Sequence, residues 1–329
     1  MNAALPLTPD AAIEIEPFHA GHKGDAARLF TARLDALRSD VPVVEPIAAD
    51  RLGCRLEGLA DQAAGVVAFA AGRPIGYLAA FGVEGVRGPG MAAYVPEWAW
   101  AVAPDAPRDT FTRMYAEAAR AWIERGWQRH VVTSLALDGP LGREMAWLGF
   151  APCVMDAILD LRGPTAESFV QTPAGMDVRR AEATDADQIA ELRRRLDDHL
   201  TASPTFLHRP PGDGDRSGAP EWPIDPARAI FVARSGEDVT AFIELAEEGD
   251  GVAEIVRHPG LAHVVAAFTR PEWRRHGVAE ALLAAALADA RERGFRAAAV
   301  DFETANPLAR RFWARFFSPV CISYERSLR

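Results

Sequence analysis

The sequence predicts an α/β fold, an α+β mixed sheet with helices packed on it, built twice in tandem. Three observations carry this. The chain resembles itself at a spacing of about 168 residues. Its apolar residues alternate between strand-like and helix-like periods. A turn-rich stretch separates the two copies.

The early copy contains ARAWIERGWQRHVVTSLALDGPLGREMAWLGFAP and the late copy ALADARERGFRAAAVDFETANPLARRFWARFFSP. Glu124, Arg125, Gly126 and Trp127 match Glu292, Arg293, Gly294 and Phe295. After a one-residue slip, Pro140, Leu141 and Arg143 match Pro307, Leu308 and Arg310, and Phe150 and Pro152 match Phe317 and Pro319. Composition alone seldom produces matches at glycine, proline and aromatic positions. Turn residues begin at Leu161–Thr165 and end at Thr172–Gly175, so the expected domains are residues 1–165 and 176–329.

Within the second copy, Met176–Ala181 is expected as a short strand. Thr184 then caps a helix, with Asp187 three residues on and Ile189, Leu192 and Leu196 along one face. Ser203–Pro226 is rich in proline and glycine, and a loop of that length is either functional or disordered. Ala229–Arg234 and Val239–Glu247 form a hairpin about Gly236, Glu237 and Asp238. Leu261–Thr269 is a longer strand. A helix over Val278–Arg293 has Val278, Leu282, Leu283 and Leu287 as its apolar stripe and Gly294 as its stop. Ala297–Asp301 is an apolar strand. Asn306 caps a short helix over Leu308–Phe316, with Pro307 suited to its first turn, and Val320–Arg326 is the last strand.

Apolar residues make up 49% of the chain and charged residues 25%, the balance of a soluble globular protein. A net charge of −10 argues against generic nucleic-acid binding, which needs a basic face. No apolar run reaches the length of a membrane span, and the N-terminus lacks a signal-peptide layout. Three cysteines, Cys54, Cys153 and Cys321, make neither a disulfide framework nor a zinc set. The expectation is a cytoplasmic protein without a metal, and the oligomeric state is left open.

The segment that carries chemistry is FTRPEWRRHGVAE, Phe268–Glu280. A strand ends at Thr269, Pro271 breaks it, and a helix opens directly after Gly277. A helix N-terminus presents unpaired N–H groups and the positive end of its dipole. Gly277 lets the backbone approach a ligand closely, Ala279 is small, and Arg274 and Arg275 add positive charge. Such a turn suits a pyrophosphate.

Here the sequence resembles the GNAT superfamily of N-acyltransferases, whose acyl-CoA motif is [QR]-x-x-G-x-[GA]. Arg274, Gly277 and Ala279 stand at its three defined positions. Asn306-Pro307-Leu308-Ala309-Arg310-Arg311-Phe312-Trp313 looks like the family's N-x-x-A-x-x-F-Y segment. The resemblance covers residues 176–329, and the first half more weakly. It implies two tandem folds of this kind, with acetyl-CoA as cosubstrate lying where the fourth and fifth strands splay. It implies that the backbone of Ala267, Phe268 and Thr269 pairs with the pantetheine arm. The N–H groups of Arg275, His276, Gly277, Val278 and Ala279 would hold the pyrophosphate, and Asn306 would contact the CoA arm. An amine of a small molecule or peptide would attack the thioester directly.

One position departs from the family. Trp313 stands where many members place a tyrosine that protonates the leaving thiolate, and an indole N–H does not ionise. Tyr324 is the second copy's single tyrosine, and a weak substitute. As base, Glu303 follows the fifth strand closely, on the same side as Asp301 if the strand persists that far. His263 on the fourth strand is the other candidate, and Glu244 a third.

The first copy lacks the cradle. Gly277 maps to Asp109 or Thr110, Phe111 replaces a small residue, and Asp105 and Asp109 would repel phosphate. Tyr94, Trp98 and Trp100 are expected as core or as a groove wall. A catalytically silent acyl-CoA sensor is the alternative to an enzyme. A nucleotide-binding protein fits poorly, for there is no G-x-G-x-x-G and no P-loop lysine.

Overall fold

The computed structural model describes residues 12–328 apart from 63, 137, 138, 164–171, 209–219, 223, 248, 250–252 and 258. The interdomain turns at Pro164 and Thr165 and the centre of the Pro-rich stretch therefore lie outside the described residues. The strands are β1 (Ile13–Pro17), β2 (Ala64–Ala70), β3 (Arg73–Glu84), β4 (Met91–Val95), β5 (Trp100–Val102), β6 (Arg129–Leu135), β7 (Ala151–Asp160), β8 (Asp177–Arg180), β9 (Arg228–Ser235), β10 (Asp238–Ala246), β11 (Leu261–Thr269), β12 (Ala297–Glu303) and β13 (Ser318–Ser327). The helices are α1 (Lys23–Asp40), α2 (Ala49–Gln62), α3 (Thr110–Glu124), α4 (Gly139–Trp147), α5 (Ala186–Thr201), α6 (Val278–Glu292) and α7 (Pro307–Trp313).

The chain divides into two compact units, Met1–Cys153 with Val320–Arg329, and Val154–Pro319. In the first unit the strand order is β1-β2-β3-β4-β6-β13, and β5 pairs with β3. In the second it is β7-β12-β11-β10-β9-β8. The division differs from the boundaries expected at 165 and 176. Each copy's last strand is counted with the other copy. β7 pairs antiparallel with β12, Glu303 opposite Val154, and β13 pairs antiparallel with β6, Ser323 opposite Thr133. Sequence order could not reveal this, because a strand's partner is chosen by the sheet edge it meets.

The second unit folds round β10, buried from Val239 to Ala246. Helix α6 packs Val278, Ala281, Leu282, Leu283, Ala286, Leu287 and Ala290 inward, the three-and-four spacing of one apolar face. Burying each such leucine contributes about 1.5–3 kcal/mol. The repeat is visible in the caps. Gly126 and Gly294 both take the left-handed conformation, with φ of 81° and 89°. Trp127 N–H bonds Trp122 C=O and Phe295 N–H bonds Ala290 C=O, both at 3.0 Å, so α3 and α6 end in the same way.

One start signal was misplaced. Thr184 does not cap α5; it lies in a 3-10 turn, Ala183–Asp185, that leads into the helix. The reciprocal cap belongs to that turn: Asp185 Oδ2 accepts from Glu182 N–H at 2.8 Å, and α5 itself begins without a side-chain cap. Arg179 donates to the same buried Asp185 carboxylate at 2.8 Å.

Candidate functional site

The site begins with a parted pair of strands. Parallel pairing of β11 with β12 runs from Leu261–Ala297 to Val264–Val300 and ends there. Beyond it β11 stays paired with β10 to Thr269, and β12 with β7 to Glu303. The cause is local. Glu244 faces Ala266 and Leu245 faces Val264, so Val265 is an extra residue on β11. A bulge of this kind bends its strand away from its neighbour. Residues Leu261–Val264 are buried, whereas Val265, Ala266 and Ala267 are half-buried.

Past Thr269 the chain makes a 3-10 turn over Pro271–Trp273 and reaches α6 through Arg274, Arg275, His276 and Gly277. Arg275 and Gly277 have φ of 64° and 79°. Such left-handed residues turn successive N–H groups toward one point, the arrangement that binds anions. Gly277 is the N-cap of α6 and supplies no side-chain cap. The first-turn N–H groups of α6 have no carbonyl within the helix to bond. Glu280, the acid in that turn, is ion-paired with Arg315. Arg275 and His276 are exposed, and Val278 is buried beneath the turn. Arg274 is held against the end of β11. Its Nε donates to Thr269 C=O at 3.1 Å and its guanidinium lies 5.5 Å from the Phe268 ring centre. Burial lowers its pKa.

Asn306 is buried and caps α7, its Oδ1 accepting from Leu308 and Ala309 N–H at 3.2 Å each. The cap uses the carbonyl oxygen and leaves the Nδ2 hydrogens for another acceptor. Glu303 is half-buried at the end of β12, on the far side of the parting from Ala267. His263 lies one residue before the parting, 2% exposed and between Ala246 and Ala299 in the sheet. Gly249 covers it; a Cβ there would stand 2.7 Å from His263 Nδ1. Glu244 is withdrawn as a base. One carboxylate oxygen accepts from Arg193 at 2.7 Å and the other from Arg228 at 2.8 Å, so both oxygens are already used. That network escaped the sequence, since Arg193 and Glu244 are 51 residues apart.

Trp313 belongs to the second unit's core, packed edge-on to Phe312 and Phe317. Tyr324 is counted with the first unit, opposite Val132, with its hydroxyl against Gly142. Burial raises its pKa. Trp98 and Trp100 are core residues of the first unit, and Tyr94 is half-buried. Helix α3 starts at Thr110 with Asp109 as N-cap, at φ −88°. Asp109 thus takes the place of Gly277 without the left-handed turn. Among the described residues no three histidines, cysteines or acids gather as a metal site, and no helix is long and apolar enough to cross a membrane.

The model of the acetyltransferase (GNAT) family matches residues 194–317. Among solved structures, the chain is similar to a GCN5-related N-acetyltransferase from Sphaerobacter thermophilus, with a TM-score of 0.55 and 16% identity over 96% of each chain. A tandem GNAT protein from the clavulanic acid biosynthesis pathway aligns over 97% of this chain and 99% of its own, with a TM-score of 0.46 and 16% identity. No curated protein matches the chain in sequence. Over most of the chain the fold is that of this GCN5-related N-acetyltransferase.

Proposed function

We propose, from the match of the acetyltransferase (GNAT) family model to residues 194–317 of the second unit, that this unit transfers an acetyl group from acetyl-CoA to an amine of a small molecule or peptide. One observation carries the reading: the parting of β11 from β12 leads directly into an uncapped helix N-terminus preceded by two left-handed residues. A parted strand edge suits an extended amide-bearing arm, and the helix N-terminus suits its phosphates.

On this reading the backbone of Ala267 and Phe268 pairs with the pantetheine arm. Thr269 joins them when Arg274 releases its carbonyl. The N–H groups from Arg275 to Ala279 hold the pyrophosphate, and Asn306 offers its Nδ2 hydrogens to the arm. The acceptor nitrogen attacks the thioester carbon. The C–N bond forms, the C–S bond breaks, and the electron pair leaves on sulfur. Glu303 takes the ammonium proton, directly or through a water. Its partial exposure beside the parting supports that role, whereas His263 is sealed beneath Gly249. With indole at position 313, the departing thiolate takes its proton from solvent.

Calorimetry with CoA and thiol release from acetyl-CoA across a panel of amines test the proposal together. Binding at one site per chain, with turnover on some amines, is expected. Gly277→Glu should abolish binding, because it strains a left-handed position and puts a carboxylate where phosphate would sit. Binding without turnover on any amine would favour an acyl-CoA sensor instead. Absence of binding would refute both.

A further inference from the structure

The first unit repeats the same junction, and its own side chains fill it. Parallel pairing of β4 with β6 ends at Val95–Val132, and β5 then leaves to pair with β3. This is the counterpart of the parting after Val264–Val300. Trp100 lies across it. Its indole Nε1 donates to the Thr133 carbonyl on β6 at 2.7 Å, and its ring meets Phe111 in the first turn of α3, centroids 5.2 Å apart. Arg33 lies over the indole, its Cζ 3.8 Å from the ring centre. Trp100 is 2% exposed.

The helix end is filled as well. Thr112, the third residue of α3, donates its backbone N–H to Glu144 Oε1 at 3.0 Å, and its hydroxyl bonds the same oxygen. Glu144 comes from α4, 32 residues away. A carboxylate at a helix N-terminus satisfies unpaired N–H groups and is favoured by the dipole. Phosphate is held for the same reasons.

We propose that the first unit's counterpart of the acyl-CoA groove is closed from within, Trp100 standing in for the pantetheine arm and Glu144 for the phosphate. It is a permanent internal contact that restricts acyl-CoA to the second unit. The idea rests on the functional reading above only in naming what is mimicked. The contact with Glu144 can be tested without acetyl-CoA or activity.

The test measures thermal unfolding of the full chain in inorganic phosphate and, at equal ionic strength, in chloride. A parent with Glu144 intact, Glu144→Ala and Glu144→Gln are compared, all three carrying Gly277→Glu so that α6 binds no anion. Glu144→Ala should unfold at a lower temperature in chloride and recover by about 1 °C in phosphate, as the free anion takes the vacated place. The Glu144 parent should show only the general stabilisation that phosphate gives any folded chain, smaller than that of Glu144→Ala, and Glu144→Gln, which keeps an acceptor without the charge, should lie between. Equal phosphate response in all three proteins would overturn the proposal. Should Glu144→Ala fail to fold, the Gln variant decides on the same criterion. A Trp100→Phe variant removes the indole donor and keeps much of the bulk. It should unfold at a lower temperature, and an unchanged midpoint would overturn the assignment of Trp100.

Discussion

Glu303 is held by the last residue pair of β12 and β7, with Phe302 buried beside it. An oriented base of this kind typically contributes about 10²–10⁴-fold. Glu303→Gln should lower the turnover number by that order and leave CoA affinity nearly unchanged, because the anion cradle is built of backbone. The deficit should shrink as pH rises and more acceptor amine is free. If instead Glu303→Gln keeps full activity and His263→Ala loses it, the base lies on β11. A second residue shows how burial dominates a titration. His130 is fully buried, with Tyr115 OH 2.8 Å from Nδ1 and Trp127 C=O 3.2 Å from Nε2. The carbonyl needs a donor, so the proton sits on Nε2 and the Tyr115 hydroxyl donates to Nδ1. Burial, with Arg326 nearby, lowers its pKa from 6.5 to about 4. The unfolded chain therefore binds this proton first as pH falls. Stability present above about pH 6.5 is lost progressively toward about pH 4, by about 3 kcal/mol. Denaturant unfolding at pH 7 and pH 4.5 should show the loss, and His130→Gln should reduce it while keeping both hydrogen bonds.

At the scale of elements, the short helix α7 depends on its first residue. Asn306 accepts two N–H groups, and Pro307 fixes the first turn. Asn306→Ala should cost about 1 kcal/mol, read by thermal unfolding. Asn306→Asp keeps the acceptor and removes the Nδ2 donor. It should hold stability while weakening CoA binding, and a loss of stability equal to that of the alanine variant would reduce Asn306 to a cap. The bulge at Val265 works through β11 in the same local way. One extra residue ends the pairing with β12 and so opens an edge that the rest of the sheet keeps closed. In the first unit the turn between Val95 and Trp100 does that work, and an indole closes what it opens.

Across the whole molecule, the exchange of last strands bears on how the chain can be cut. A fragment 1–165 lacks β13, the antiparallel partner of β6, and a fragment 176–329 lacks β7, the partner of β12. Each would expose a strand edge that is paired in the intact chain, a site of aggregation. Produced alone, both fragments should be insoluble or poorly folded. Two soluble, cooperatively folding fragments would show that the exchanged strands add little.

The sequence by itself determined most of the second copy's elements, the repeat and the turn before α6. These depend on neighbours a few residues apart: the stripe of α6, the glycine stops at Gly126 and Gly294, and the step from Pro271 to Gly277. Asn306 was legible as a cap for the same reason, and the family resemblance rested on the same short segments. Only the tertiary structure decided the rest. It gave β7 and β13 to opposite units, used up Glu244 on Arg193 and Arg228, and sealed His263 beneath Gly249. It also set Trp100 and Glu144 into the first unit's junction. Each of these joins groups from separate elements. The physical reason is that a local sequence pattern fixes backbone conformation, whereas partners at a sheet edge or a helix end are selected when the whole chain packs.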